Sequence, residues 1–223
     1  MELKINEWND AYLKGGNMCF WPNEEIIRFV SKYIKKRIGI DEFAKIRDFD
    51  KGFDLGCGIG RHVKFLGEMG FDVYGMDLSD VAINKGKQWM ETLGESGLAK
   101  KMVIGNILDI PFESDYFDFI VSHGVFDSMS FEIAIHGIKE VVRVLKTGGL
   151  MYCDLIMDPS LEAYEEIVKI EHEYGTVQSY FDKNKVDVLL GSAFRILEFK
   201  INSTSDENNE VLSRRAHVIC EKC

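Results

Sequence analysis

Asp54-Leu55-Gly56-Cys57-Gly58-Ile59-Gly60-Arg61 decides the fold. The short apolar run Phe53–Leu55 leads into it, and Arg61–Met69 follows with helical character. A strand that breaks into three closely spaced glycines and then opens a helix makes a tight turn, because glycine adopts backbone angles that side chains forbid. It also lets a ligand approach the backbone without meeting a Cβ. The new helix aims unpaired N–H groups at the turn, which favours a carboxylate or a phosphate there.

Seventeen residues after Gly60, Asp77 closes a second strand-like run, Val73–Met76. A carboxylate at such a strand end can accept both hydroxyls of a ribose. Two ligand classes fit a glycine turn plus a strand-end acid. The dinucleotide fingerprint needs GxGxxG, and Arg61 stands where its third glycine belongs. The spacing here is GxGxG with an acid, Asp54, two residues before the first glycine. That acid would repel a pyrophosphate but can accept from an ammonium, directly or through water. The pair points to a ligand bearing an amino acid and a nucleoside.

Working outward, apolar strand-like runs at Lys101–Ile104, Phe117–Ser122 and Leu150–Ile156 alternate with helical stretches, one from Ser79 to about Leu93 and one over Phe131–Leu145. Strands separated by helices predict βαβ units with right-handed crossovers. The expected fold is α/β, a doubly wound, mostly parallel seven-stranded sheet. Its C-terminal part is an antiparallel hairpin, Phe194–Ile201 and Val211–Cys220 around a polar turn at Asp206–Asn209. Before the core, Asn23–Arg37 has a helical apolar stripe, with Asn23 as cap and Gly39 as terminator. This divides the chain into an N-terminal helical cap over residues 1–48 and a core over residues 49–223. A substrate-lid insertion near residues 157–190 is expected to hold a helix from Pro159 to about Glu173.

Composition excludes several classes. The 223 residues include 46% hydrophobic residues, enough for a sizeable core, and 27 Lys and Arg stand against 37 Asp and Glu, a net charge of −10. An acidic chain is a poor default for nucleic acid, whose binding relies on Lys and Arg at phosphates. No run of about 18 apolar residues predicts a membrane span. Five scattered cysteines, Cys19, Cys57, Cys153, Cys220 and Cys223, read as free thiols of a cytoplasmic protein. Cys220 and Cys223 form a lone CxxC with no partner pair, so no metal is expected, and oligomeric state is not readable.

Asp54–Gly60 resembles the first motif of class I, Rossmann-like S-adenosylmethionine-dependent methyltransferases, in their small-molecule branch. The resemblance continues in order through Tyr74–Ser79, Gly105–Phe112, Tyr116–Ile120 and Val144–Gly149, and covers roughly Phe53 to Ile156. It implies S-adenosyl-L-methionine as cofactor and S-adenosyl-L-homocysteine as product. Asp54 with Gly56, Cys57, Gly58 and Gly60 would hold the methionine moiety. Asp77 would take the ribose hydroxyls and Leu78 would pack on adenine. Asn106 falls where the family often has Asp for the adenine amino group, and the Ile107 N–H would meet the ring. Ser122 and His123 would line the floor beneath the sulfonium.

Methyl transfer to an O–H or a protonated amine benefits from a base. His123 is the first candidate, with Asp127 on the following loop behind it. The acceptor, a small molecule, would be met by aromatic and polar groups outside the core: Tyr12, Trp21, Gln178 and Tyr180. Trp8 and Tyr12, spaced i, i+4, would share one helix face. The runs typical of base-amine methylases, pyrimidine methylases and metal-dependent catechol enzymes are lacking. Two other readings remain: a catalytically idle S-adenosylmethionine-binding module, and a nucleotide-dependent oxidoreductase.

Overall fold

The computed structural model describes residues 3–223 apart from Pro159 and Leu161. In chain order the elements are α1 (Ile5–Leu13), α2 (Glu24–Tyr33), β1 (Lys51–Leu55), α3 (Arg61–Glu68), β2 (Asp72–Asp77), α4 (Asp80–Thr92), α5 (Ser96–Lys100) and β3 (Met102–Ile104). There follow β4 (Phe117–Ser122), α6 (Phe131–Val144), β5 (Leu145–Met157), α7 (Lys183–Leu190), β6 (Phe194–Ser205) and β7 (Val211–Lys222). Two small antiparallel ribbons lie outside the sheet, Lys35–Arg37 with Phe43–Lys45 and Glu165–Ile167 with Val177–Ser179.

The seven strands run in the order β3-β2-β1-β4-β5-β7-β6; β7 is antiparallel to both of its neighbours, β5 and β6, and the other pairs are parallel. This is the predicted doubly wound sheet with its C-terminal hairpin. Successive residues alternate between two cores, as a strand requires, except at the irregularity between Phe117 and Phe119. Phe53, Leu55, Phe117 and Ile120 face one core with α6, and Phe119, Val121, Val73 and Tyr152 face the other with α2 and α3. Gly52 makes room for Phe119: a Cβ there would stand 2.4 Å from the ring. Ser79, Ser130 and Asp182 cap α4, α6 and α7 by accepting from backbone N–H groups, each worth about 1 kcal/mol.

Two expectations are corrected. The helix foreseen to Arg37 stops at Tyr33, because the Ile34 carbonyl accepts from the N–H groups of Ile46 and Arg47 and so is lost to a helical ladder. Lys35–Arg37 then pairs as a strand. The helix foreseen from Pro159 to Glu173 is replaced, where the structure describes the chain, by a ribbon. Val168 N–H donates to the Thr176 carbonyl, and Gly175 at φ +87° turns the chain back. The start of that expected helix at Pro159 lies outside the described residues.

The chain runs outward from β1 to β2 and β3, then returns to the other side of β1 as β4. At such a reversal the loops at the carboxyl ends part and leave a crevice. Asp54 pairs in register with Gly75, and Leu55 with Met76, so Asp54 and Asp77 stand at the same sheet edge.

Candidate cofactor and acceptor site

A cavity of about 380 Å³ opens at this reversal. Its walls include Gly56, Cys57, Gly58, Asp77, Leu78, Asn106, Ile107 and His123, which the sequence had placed together. Gly56 and Gly58 have φ of +67° and +55°. A Cβ on Gly58 would stand 2.6 Å from the Tyr12 hydroxyl, so only backbone separates the turn from that ring. Asp77 ties the turn to the next helix: its Oδ2 accepts from Gly58 N–H at 2.8 Å and its Oδ1 from Ser79 N–H at 2.8 Å. Burial, reinforced by the nearby Asp54 charge, pushes its carboxyl up to about 6 against those N–H groups. Each oxygen keeps a lone pair for a further donor such as a ribose hydroxyl.

Asp54 lies beneath the turn, fully enclosed, and does not reach the cavity wall; neither of its oxygens has a hydrogen-bond partner among the described residues. His62 approaches it, Nδ1 at 3.5 Å from Oδ1, while His62 Nε2 accepts from Asn23 N–H. A buried carboxylate without a partner sets up a field that favours a cation just beyond it, such as the ammonium of an amino-acid ligand. Gly60 (φ +87°) starts α3 and faces Met90 and Met102. Ser122 is buried with its hydroxyl unpartnered among the described residues, also off the wall. Asn106 Oδ1 accepts from Leu108 N–H in its own turn.

His123 faces Asn23 Nδ2 at 2.8 Å through Nε2 and Arg61 Nη2 at 3.3 Å through Nδ1. Asp154 Oδ2 lies 3.5 Å from Nε2. Burial first, then the Arg61, His62 and Arg215 charges, hold the imidazole down at about 4 against the pull of Asp154. The ring is neutral at pH 7.

Of the residues proposed for the acceptor, Tyr12 and Gln178 line the cavity. Trp21 is 82% exposed and off its wall. Tyr180 turns away, stacking on Tyr164 at 4.3 Å and donating to Glu166 Oε1.

Residues 53–153 match the methyltransferase domain family. Demethylmenaquinone methyltransferases of Staphylococcus aureus are 27% identical over 134 residues, which cover 58% of this chain and 52% of theirs. The chain thus spans about half the length of the curated relatives it matches. The CcbJ methyltransferase of Streptomyces caelestis superposes at a TM-score of 0.67 with 13% identity over 97% of this chain and 98% of its own. An S-adenosylmethionine-dependent methyltransferase of Methanosarcina mazei gives 0.63 with 22% identity over 79% and 93%. These structures share the fold.

The cavity has a polar floor of which the sequence reading named Asp127 alone. Arg215 Nη1, from β7, donates to Asp154 Oδ2 at 2.6 Å and Asp127 Oδ2 at 3.0 Å, and both carboxylates are buried. Asp154 lies inside the apolar run of β5 and Arg215 on a late antiparallel strand. The one available signal was that an acid interrupts an otherwise apolar central strand.

Proposed function

We propose that this protein is an S-adenosylmethionine-dependent methyltransferase acting on a small-molecule acceptor. The observation that carries the reading is the meeting, in one cavity, of the glycine turn and the strand-end carboxylate of Asp77, which are tied to each other by the Gly58 hydrogen bond. In this reading Gly56, Cys57 and Gly58 hold the amino-acid end and Asp77 holds the ribose. Leu78, Asn106 and Ile107 enclose the base, while Asp54, Gly60 and Ser122 shape the turn from behind. The bound sulfonium supplies an activated methyl group; the chain positions the nucleophile and excludes water.

A small acceptor is supported by the enclosure of the cavity. Trp8 and Tyr12 on α1 cover one side, and Glu173, Val177 and Gln178 cover another. Demethylmenaquinone, named for the Staphylococcus aureus relatives, is one acceptor to assay. Cytoplasmic residence is read from five cysteines that are all free thiols. No helix among the described residues is long and apolar enough to cross a membrane.

Isothermal titration with S-adenosylhomocysteine tests the reading. Binding to the native chain that is lost in Asp77→Ala supports it; no heat with the native chain sinks it.

A further inference from the structure

Asp127 and His123 both line the cavity, and they offer a proton very different reception. The neutral ring of His123 has one lone-pair nitrogen and one N–H; the Arg61 guanidinium meets Nδ1, and Nε2, beside Asn23 Nδ2 and Asp154 Oδ2, carries the proton. Asn23 Oδ1 accepts from Glu25 N–H at the start of α2. Arginine has only donors, so Nδ1 must offer its lone pair to Arg61 and is not free for a substrate proton.

Asp127 is arranged the other way. Its Oδ2 is committed, accepting from Arg215 Nη1 at 3.0 Å and from Ile156 N–H at 3.0 Å. Its backbone carbonyl accepts from Gln178 Nε2 and from Ser179 N–H on the ribbon, so the loop is fixed from three sides. Its Oδ1 is buried and has no hydrogen-bond partner among the described residues. An unpartnered buried carboxylate oxygen is costly unless a ligand completes it.

We propose that Asp127 is the proton acceptor of methyl transfer, and that the acceptor molecule presents an O–H or N–H to its Oδ1. The proposal rests on the methyltransferase reading above. The acceptor oxygen or nitrogen forms its new bond to the methyl carbon while the carbon–sulfur bond breaks, and that electron pair goes to sulfur. The proton released from the acceptor passes to Asp127 Oδ1. Arg215 and Asp154 are positioning residues: Arg215 fixes Oδ2, and Asp154 shares the guanidinium. Burial, with the Asp154 charge, holds the Asp127 carboxyl up at about 6 against the Arg215 charge, which suits a base working near neutrality. Acceptors without a proton on the reacting atom are not served by this floor.

The test uses the full chain, saturated with S-adenosylhomocysteine, and four probes followed by ligand-observed NMR: catechol, ethanolamine, glycolate and trimethylamine N-oxide, which has no O–H or N–H. At least one of the first three is expected to bind at pH 7.5, and the N-oxide is not. In Asp127→Asn the affinity of that probe should fall at least tenfold, with S-adenosylhomocysteine affinity by calorimetry within twofold of native. This variant keeps an oxygen for Arg215 and Ile156 and places its NH₂ where Oδ1 has no partner. In the native chain, probe affinity should be lost as pH falls through about 6. The charged groups facing Asp127 are Arg215 on β7 and Asp154 on β5. Asp77, the other raised carboxyl, is followed separately through S-adenosylhomocysteine affinity. Equal binding of the probe to native and variant chains, binding of the N-oxide alone, or no probe binding at all would overturn the assignment. Should the variant not fold, a native pH midpoint near 4 would do the same. Failure of S-adenosylhomocysteine to bind would instead remove the parent reading.

Discussion

Arg61 Nη2 lies 3.3 Å from Nδ1 of His123, so a cation that can only donate is placed against a ring nitrogen. Protonating that ring would set two cations together, which adds to the cost of its burial. Arg61→Met is expected to raise the His123 midpoint from about 4 toward 6.5 without reaching it, since burial, the larger cause, remains. The histidine Cε1 proton, followed by NMR across pH 3–8, checks this. The unfolded chain binds this proton below about pH 6.5 and the folded chain does not until about 4. The His123 contribution to stability is therefore lost as pH falls through that window, by up to about 3 kcal/mol.

Asp77 and Gly58 act as one unit, because the carboxylate holds the turn by its backbone N–H. Gly58→Ala forces a side chain into φ +55° and within 2.6 Å of the Tyr12 hydroxyl. It is expected to weaken S-adenosylhomocysteine at least tenfold in calorimetry. Gly94→Ala, also at positive φ but with nothing within 4 Å of the added Cβ, carries the backbone strain alone and should leave that affinity unchanged.

The carboxyl of Asp127 titrates in the opposite sense to His123. Held up at about 6 against an ordinary value of 3.8, it binds a proton in the folded chain where the unfolded chain does not. Its contribution to stability therefore falls as pH rises from about 4 to about 6, and the cost is fully present at pH 7.5. Asp127→Asn removes this cost. Its Tm, measured without ligand at pH 5 and 7.5, should drop less between the two than the native Tm does. A difference of about 1 kcal/mol corresponds to roughly 2–4 °C in a chain of this size.

The doubly wound sheet was legible because its signals are local. Phe53–Leu55 running into Gly56, and Phe117–Ser122 as an unbroken buried run, announce central parallel strands by composition alone. The glycine turn and Asp77 were legible for the same reason, since their spacing carries their geometry. The cavity floor was not. Asp154 and Arg215 are brought together by antiparallel pairing of β5 with β7, where Arg215 sits opposite Ile156 and His217 opposite Asp154, and Asp127 reaches Arg215 and Ile156 from the loop after β4. No local pattern encodes that register. The segment read as a helix after Pro159 failed for a related reason. Its Glu-rich sequence favours a helix, and the ladder from Val168 to Thr176 overrides that preference. Trp21 and Tyr180 were drawn in by aromatic character, and side-chain direction, not composition, takes them off the cavity wall.

α1 closes the cavity through few anchors, all of them polar. Asn9 Nδ2 donates to Asp80 Oδ1 at 2.7 Å, and Asn9 Oδ1 accepts from Ser79 Oγ at 2.6 Å. Lys85 Nζ donates to the Tyr12 carbonyl at 2.6 Å. Of the nine residues of α1 only Ala11 is fully buried, so apolar packing does little to hold the helix. Asn9→Ala removes two of these three bonds, each worth about 1 kcal/mol net. The expected result is faster amide exchange over residues 5–13 in hydrogen-exchange mass spectrometry, with exchange in β1 and β4 unchanged. Because Tyr12 rides on the same helix above Gly58, S-adenosylhomocysteine should dissociate several-fold faster in stopped-flow displacement, while its association rate stays the same or rises as the cover loosens. Unchanged exchange in α1 would mean that the helix is held by contacts other than Asn9, and unchanged dissociation would mean that it does not cover the ligand.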